Sequence, residues 1–163
     1  MAAEAAKLEF AARVGPHLAA MARLAARVAP ATDRDDIVQE ALLRAWRRWP
    51  TYDAERGALL SWLLAIVADQ GRRARSRSRW VRLEGVSVAV TDPAAPAALR
   101  DHDLEQALRR LSGRQRLAID LYYFVGLDVA AVAEVMGCAP GTVKATLHQA
   151  RARLRDLVGS THE

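Results

Sequence analysis

The segment from Val81 to Asp103, VRLEGVSVAVTDPAAPAALRDHD, constrains the fold more than any other stretch of the chain. Pro93 and Pro96 bar a helix through its middle, because proline lacks an N–H and turns the residue before it away from helical geometry. Val86-Ser87-Val88-Ala89-Val90 alternates as a strand would, yet one short strand without a partner does not stand alone. Two folded blocks, 1–80 and 104–163, joined by a flexible tether at 81–103, are the expected organisation. The apolar inventory agrees. Of 84 hydrophobic residues 34 are alanine, and the remaining 50 suit two small helical cores better than one deep one.

The first block reads as three or four helices. Val14, Leu18, Met21, Ala25 and Val28 step by four and three along one helical face until Pro30. Asp33 is the expected N-cap of the next helix, with Asp35 and Asp36 in a first turn where the helix dipole favours acids. Ile37, Val38, Ala41, Leu42, Ala45 and Trp46 give that helix a wide apolar stripe, and Pro50 stops it. Thr51 to Gly57 reads as a loop. A third helix begins near Ala58 and buries Leu59, Leu60, Trp62, Leu63, Ile66 and Val67. It then turns basic through Arg72, Arg73, Arg75, Arg77 and Arg79 and ends at Trp80.

The second block is punctuated more sharply. Leu104, Ala107, Leu108 and Leu111 form a short amphipathic helix. Ser112 caps the next one, whose apolar face carries Leu117, Ala118, Leu121 and Tyr122 as far as Gly126. Asp128 caps a helix from Val129 to Met136, Gly137 stands where a left-handed terminator belongs, and Pro140 opens a last helix running to about Val158. A short helix, a glycine turn and a longer polar-faced helix are the layout of a helix-turn-helix reader, whose second helix enters the major groove. Val143 and Leu147 would then pack back onto Val132 and Met136. Thr142, Lys144, Ala145, Thr146, His148 and Gln149 would face base edges. Arg114, Arg116, Arg151, Arg153 and Arg155 could hold phosphates and fix register. An α-hairpin with a solvated basic face is the plainer alternative; the glycine turn favours the reader.

Charge and chemistry narrow the classes. The chain carries 24 basic and 19 acidic residues, a net +5, divided as +5 over 1–80, −2 over 81–103 and +2 over 104–163. Two basic blocks flanking an acidic tether are compatible with nucleic acid. The arginine run lies between Trp62 and Trp80, so arginines could track a backbone while an aromatic stacks an unpaired base. A solvated face is the plainer reading of such a run, and core packing that of Trp46 and Trp62. His17, His102, His148 and His162 are far apart, Asp33, Asp35 and Asp36 are explained by capping, and Cys138 reads as a filler in the turn. No catalytic residue, metal or cofactor is expected, so the chain is read as non-enzymatic. It has no apolar run of membrane-spanning length and no signal-peptide pattern at its start, and a cytoplasmic location without membrane partners is expected.

The motifs also resemble those of a known family. Asp36-Ile-Val-Gln-Glu-Ala-Leu-Leu-Arg-Ala-Trp46 resembles the part of bacterial sigma factors that docks on core RNA polymerase. Glu55-Arg-Gly57, Trp62-Leu-Leu-Ala-Ile66 and the basic helix after them look like the segments that melt and read the −10 element. Arg114-Gln-Arg116, Gly126-Leu127, Ala133-Glu134, Gly137-Cys-Ala-Pro-Gly-Thr-Val-Lys144, Leu147-His148 and Ala150-Arg-Ala-Arg-Leu154 resemble the region that reads the −35 element. Together they are similar to the smallest sigma-70 architecture, the extracytoplasmic-function (ECF) group. The resemblance implies an all-α protein of two small helical domains, with sigma region 2 at 1–80, a linker at 81–103 and sigma region 4 at 104–163.

It further implies that the polymerase clamp helices bind Asp36, Gln39, Glu40, Leu43, Arg44 and Arg47. Reading of the −10 element would fall to Trp62, Asp69, Gln70, Arg72, Arg73, Arg75, Arg77 and Trp80. Reading of the −35 element would fall to Arg114, Arg116, Thr142, Lys144, Ala145, Thr146, His148, Gln149 and Arg151. Core polymerase, promoter DNA and an anti-sigma protein are the implied partners. Asp69 stands where many relatives have asparagine, and Thr146 and Gln149 replace common basic residues, so the preferred promoter is expected to differ. A stand-alone helix-turn-helix regulator, with the first block as a dimerisation or sensing module, is the competing reading.

Overall fold

A computed structural model describes residues 1–29, 34–83 and 98–159, and among these described residues stops and caps delimit eight α-helices. Helix α1 spans Ala2–Val14 and α2 spans Leu18–Val28, with a 3-10 turn at Gly15–His17 between them. The stripe expected to run unbroken from Val14 to Val28 is thus split. Pro16 cannot donate into a continuous α ladder, and Leu18, expected inside, is left exposed, whereas Val14, Met21, Leu24, Ala25 and Val28 are buried.

Helix α3 spans Arg34–Arg48 and buries Ile37, Ala41 and Ala45. Asp35 and Asp36 lie in its first turn, as expected; the expected cap, Asp33, lies outside the described residues. The predicted loop at 51–57 is more ordered than expected. It contains 3-10 turns at Trp49–Thr51 and Ala54–Arg56, and the Asp53 carboxylate accepts from the Glu55 N–H at 2.9 Å.

Helix α4 runs from Leu59 to Leu83, and α5 from Ala98 to Arg109. The tether predicted at 81–103 is therefore helical at both ends, and 84–97 lie outside the described residues. Ala98-Leu99-Arg100, at the start of α5, are strong helix formers.

In the second block α6, Gly113–Ile119, opens with a reciprocal capping box. Gln115 N–H donates to the Ser112 hydroxyl at 3.2 Å, and Ser112 N–H donates to the Gln115 side chain at 3.1 Å. A π-helical turn, Asp120–Val125, extends α6 and ends at Gly126, which is left-handed at φ 86°. Helix α7, Val129–Met136, is capped by Asp128, which accepts from Ala131 N–H at 2.8 Å, and stops at Gly137 with φ 62°. Helix α8 runs from Pro140 to Gly159.

Helices α2, α3 and α4 pack on one another, and α8 packs on α5, α6 and α7. Two separate cores were expected, but a single apolar cluster runs from Met21, Leu24 and Leu63 into Leu121, Val132 and Val143. Helix α2 lies along the π turn and α4 along α7, so the two domains are docked face to face. No strand occurs among the described residues.

Candidate nucleic-acid interface

The helix-turn-helix carries the clearest division between packing and reading. Val132 and Val143 are wholly buried and Leu147 nearly so, which pins α8 onto α7. That leaves Thr142, Lys144, Ala145, His148 and Gln149 exposed on the outer face of the first turns of α8, as the sequence predicts. Thr146 is half-buried, and its hydroxyl donates to the Thr142 carbonyl at 2.8 Å. Arg151 is exposed but tethered. Its Nε donates to the Leu147 carbonyl at 3.2 Å and its Nη1 to the Tyr123 hydroxyl at 3.3 Å. Arg114 is exposed at the start of α6, consistent with a phosphate contact.

Arg116 is placed differently from the expectation. Its side chain is only 17% exposed and faces Glu105 at 3.8 Å and Asp120 at 3.7 Å. A guanidinium turned into a carboxylate network does not present itself to a phosphate in this conformation.

A cleft of about 500 Å³ lies between α3 and the second half of α4. It brings together two sets of residues that the sequence assigns to different partners. Asp36, Gln39, Glu40, Leu43 and Arg44 line it from α3, and Gln70, Arg73 and Arg77 from α4. Leu43 is half exposed, an apolar side chain among charges, as a helix-docking surface requires. Arg47 is exposed but does not line the cleft. Gln70 is 3% exposed, and its Nε2 has no hydrogen-bond partner, so an unsatisfied donor sits in the cleft wall.

Asp69 gathers the arginines around it. It pairs with Arg72 at 2.9 Å, Arg73 at 2.9 Å and Arg44 at 3.9 Å. The carboxylate therefore partly neutralises the basic face. Arg75 and Arg77 are exposed on α4; the side chain of Trp80 lies outside the described residues.

Trp62 belongs to an aromatic cluster and is half-buried rather than sealed in the core. Its ring centroid is 5.1 Å from Tyr52 and 6.5 Å from Trp49. Trp49 stacks on Tyr52 at 5.6 Å, and Phe10 from α1 meets Trp46 and Trp49 edge-on. The cluster holds the 51–57 segment against α4, with the Tyr52 hydroxyl donating to the Gly57 carbonyl at 3.3 Å.

Sequence reasoning missed the residues joining the two domains. Arg27 donates to Glu105 at 2.6 Å and to Asp120 at 3.0 Å, and its guanidinium lies 3.8 Å from the Phe124 ring centroid. Glu134 of α7 accepts from Ala58 N–H at 3.4 Å, at the start of α4. Burial pushes the Asp120 carboxyl above its ordinary value, with Arg27 and Arg116 opposing the shift. Arg27 is raised by its two carboxylate partners, which outweigh the desolvation of its guanidinium. Among the described residues no group of acids, histidines or cysteine is arranged to hold a metal, and no helix is long and apolar enough to cross a membrane.

Comparison with known proteins matches this geometry to a family. Residues 13–81 match the model for sigma-70 region 2, and 101–154 match the model for sigma-70, region 4. The ECF RNA polymerase sigma factor SigL of Mycobacterium tuberculosis is 34% identical over 146 residues, covering 85% of this chain and 82% of SigL. The RNA polymerase sigma-E factor of Streptomyces coelicolor is 29% identical over 158 residues, covering 91% and 85%. Among solved structures, the sigma factor RpoE in complex with the anti-sigma factor NepR from Bartonella quintana superposes with a TM-score of 0.71 at 29% identity, over 93% of this chain and 97% of that one. CnrH in complex with the cytosolic domain of CnrY gives the same TM-score at 27% identity, over 98% and 95%. With both sigma regions present in order on two helical domains, the chain belongs to the ECF group of sigma-70 RNA polymerase sigma factors.

Proposed function

We propose that this sigma factor docks on core polymerase through the α3 face of the cleft and reads promoter DNA with α8 and, at the −10 element, with Trp62 and the arginine-bearing second half of α4. The carrying observation is the outer face of α8. Val143 and Leu147 are buried while Thr142, Lys144, Ala145, His148 and Gln149 are free to meet base edges. Lysine suits guanine or phosphate, glutamine suits adenine, and threonine suits several edges or a thymine methyl. The half-buried Trp62 and Tyr52, beside exposed arginines, suit capture of an unpaired −10 base. Catalysis belongs to the polymerase, and this chain supplies promoter choice and strand separation. Since the RpoE relative was solved with the anti-sigma factor NepR, such a protein is the proposed regulator here.

Reconstitution with core polymerase tests the reading. The expected outcome is a stable complex and run-off transcripts from a subset of promoters; a folded chain that never binds core overturns it. Asp36→Arg, on the exposed first turn of α3, is expected to weaken core binding about tenfold, measured by competition against a labelled sigma. Unchanged affinity would remove α3 from the docking surface.

A further inference from the structure

The π turn that extends α6 sets an aromatic hydroxyl beside the reading helix. Asp120, Leu121 and Val125 of that turn are buried, so Tyr123, two positions on from Leu121, points outward and is 52% exposed. Tyr123 belongs neither to the apolar stripe of α6 nor to the DNA-facing residues that the sequence singles out. Its ring stands edge-on to Tyr122 at a centroid distance of 4.9 Å, which fixes where its hydroxyl lies. There the hydroxyl accepts from Arg151 Nη1 at 3.3 Å, while Arg151 Nε donates to the Leu147 carbonyl at 3.2 Å.

Attachment at two points changes what an exposed arginine can do. A free guanidinium spreads over many rotamers, and ordering it on binding costs affinity. Arg151 is already ordered, and the two bonds use only two of the five N–H groups of a guanidinium. The remaining donors of Arg151 face solvent beside the Tyr123 O–H, which accepts from Arg151 and keeps its own proton to give. An anion with several acceptor oxygens is the complement of such an arrangement.

Position along α8 names the anion. Residues seven apart on a helix return to within about 20° of the same direction and lie about 10 Å apart along its axis. Lys144, His148 and Arg151 thus share one exposed stripe, with Arg151 at its C-terminal end. The major groove is about 12 Å wide. With Lys144 at base edges inside it, Arg151 stands at the groove wall, where the phosphates run.

We propose that Tyr123 is a positioning residue for −35 recognition: its hydroxyl holds Arg151 in the orientation that meets one DNA backbone phosphate at the edge of the −35 element. The pair fixes the register of α8 in the groove and reads no base. This rests on the assignment of α8 to −35 reading.

The test uses holoenzyme assembled from the full chain and core polymerase, on a promoter from which the wild type gives run-off transcripts. Each phosphate flanking the −35 element is replaced in turn by a neutral methylphosphonate, and the promoter Kd is measured. Tyr123→Phe removes the hydroxyl and keeps the ring, Arg151→Ala removes the guanidinium, and urea midpoints check that both are folded. On unmodified DNA Tyr123→Phe is expected to bind about three- to tenfold more weakly, the scale of ordering one long side chain. One methylphosphonate position is expected to weaken the wild type about tenfold, but Tyr123→Phe and Arg151→Ala by less than about threefold. Adding Tyr123→Phe to Arg151→Ala is expected to cost less than about twofold more, because the hydroxyl acts through the guanidinium. A merely structural hydroxyl would leave sensitivity at that phosphate unchanged. Tyr123→Phe as sensitive as the wild type, additive losses in the double variant, or no phosphate whose effect depends on Arg151 each overturn the inference alone. A wild-type holoenzyme that initiates from no promoter overturns the functional assignment, and this inference with it.

Discussion

Asp120 titrates against the usual direction for a paired carboxylate. Burial raises its pKa despite the nearby arginines. The folded chain therefore keeps a proton at a pH where the unfolded chain has released it, and the Asp120 contribution to stability falls as pH climbs above about 4. Urea unfolding of wild type and Asp120→Asn from about pH 4 to pH 7 is expected to show any wild-type advantage shrinking with rising pH; a widening gap would mean a depressed carboxyl. Gly71 is a second informative residue. A Cβ there would lie 2.4 Å from Val28 Cγ2 and 3.2 Å from the Val28 carbonyl oxygen, so α2 and α4 approach through it. Gly71→Ala gains helix propensity but forces the helices apart, and a net loss of about 1–3 kcal/mol is expected from denaturant midpoints. Neither residue announces its role in the sequence. Arg27 and Asp120 are 93 positions apart, and Ala58 and Glu134 are 76 apart, so their pairing leaves no local pattern.

Most element boundaries were legible because caps and terminators act locally. Ser112, Asp128, Gly126 and Gly137 do in the structure what their side chains, or lack of one, suggest in the sequence. The reading failed where an element depends on something less local. Leu18 matches the periodicity of the first stripe, but the turn at Pro16 rotates it out. The stretch from Ala98 onward reads as tether in the sequence yet is helical, because alanine carries little hydrophobic periodicity although it favours helix strongly. The face of α8 was read correctly, since Val143 and Leu147 fix which side packs. Replacing Lys144 by alanine should cut −35-dependent transcription several-fold in run-off assays, with little change on a template whose −35 element is scrambled. Equal loss on both templates would make Lys144 a phosphate contact instead.

For the whole molecule, the all-α class and the division into two sigma regions were readable, but their docking was not. Counting fifty large apolar residues suggested separate cores, whereas the sheltered faces of α2, the π turn, α4 and α7 complete one another. Thermal unfolding reports this directly. All four tryptophans lie in the first block, so their fluorescence follows that domain alone while circular dichroism follows both. The two melts are expected to coincide. Leu121→Ala, in the second block, should lower both by the effect of about 2–5 kcal/mol typical of a buried leucine. A fluorescence melt unmoved by that substitution would show domains that unfold separately.

The π turn lets this docking tolerate a change of chain length. Its bonds run from i to i+5, so each residue advances the helix by less than the ~100° of an α-helical residue. The stretch Asp120–Val125 thus accommodates one residue more than a plain helix would between the same two angular phases. Removing one residue there would let α6 continue as ordinary helix with little change of phase beyond it, so the glycine-punctuated reader that follows would keep its aim. What such a deletion would alter is the wide turn itself, which sets Asp120 and Phe124 against Arg27, and the contact between the two DNA-reading domains would change before their own folds did.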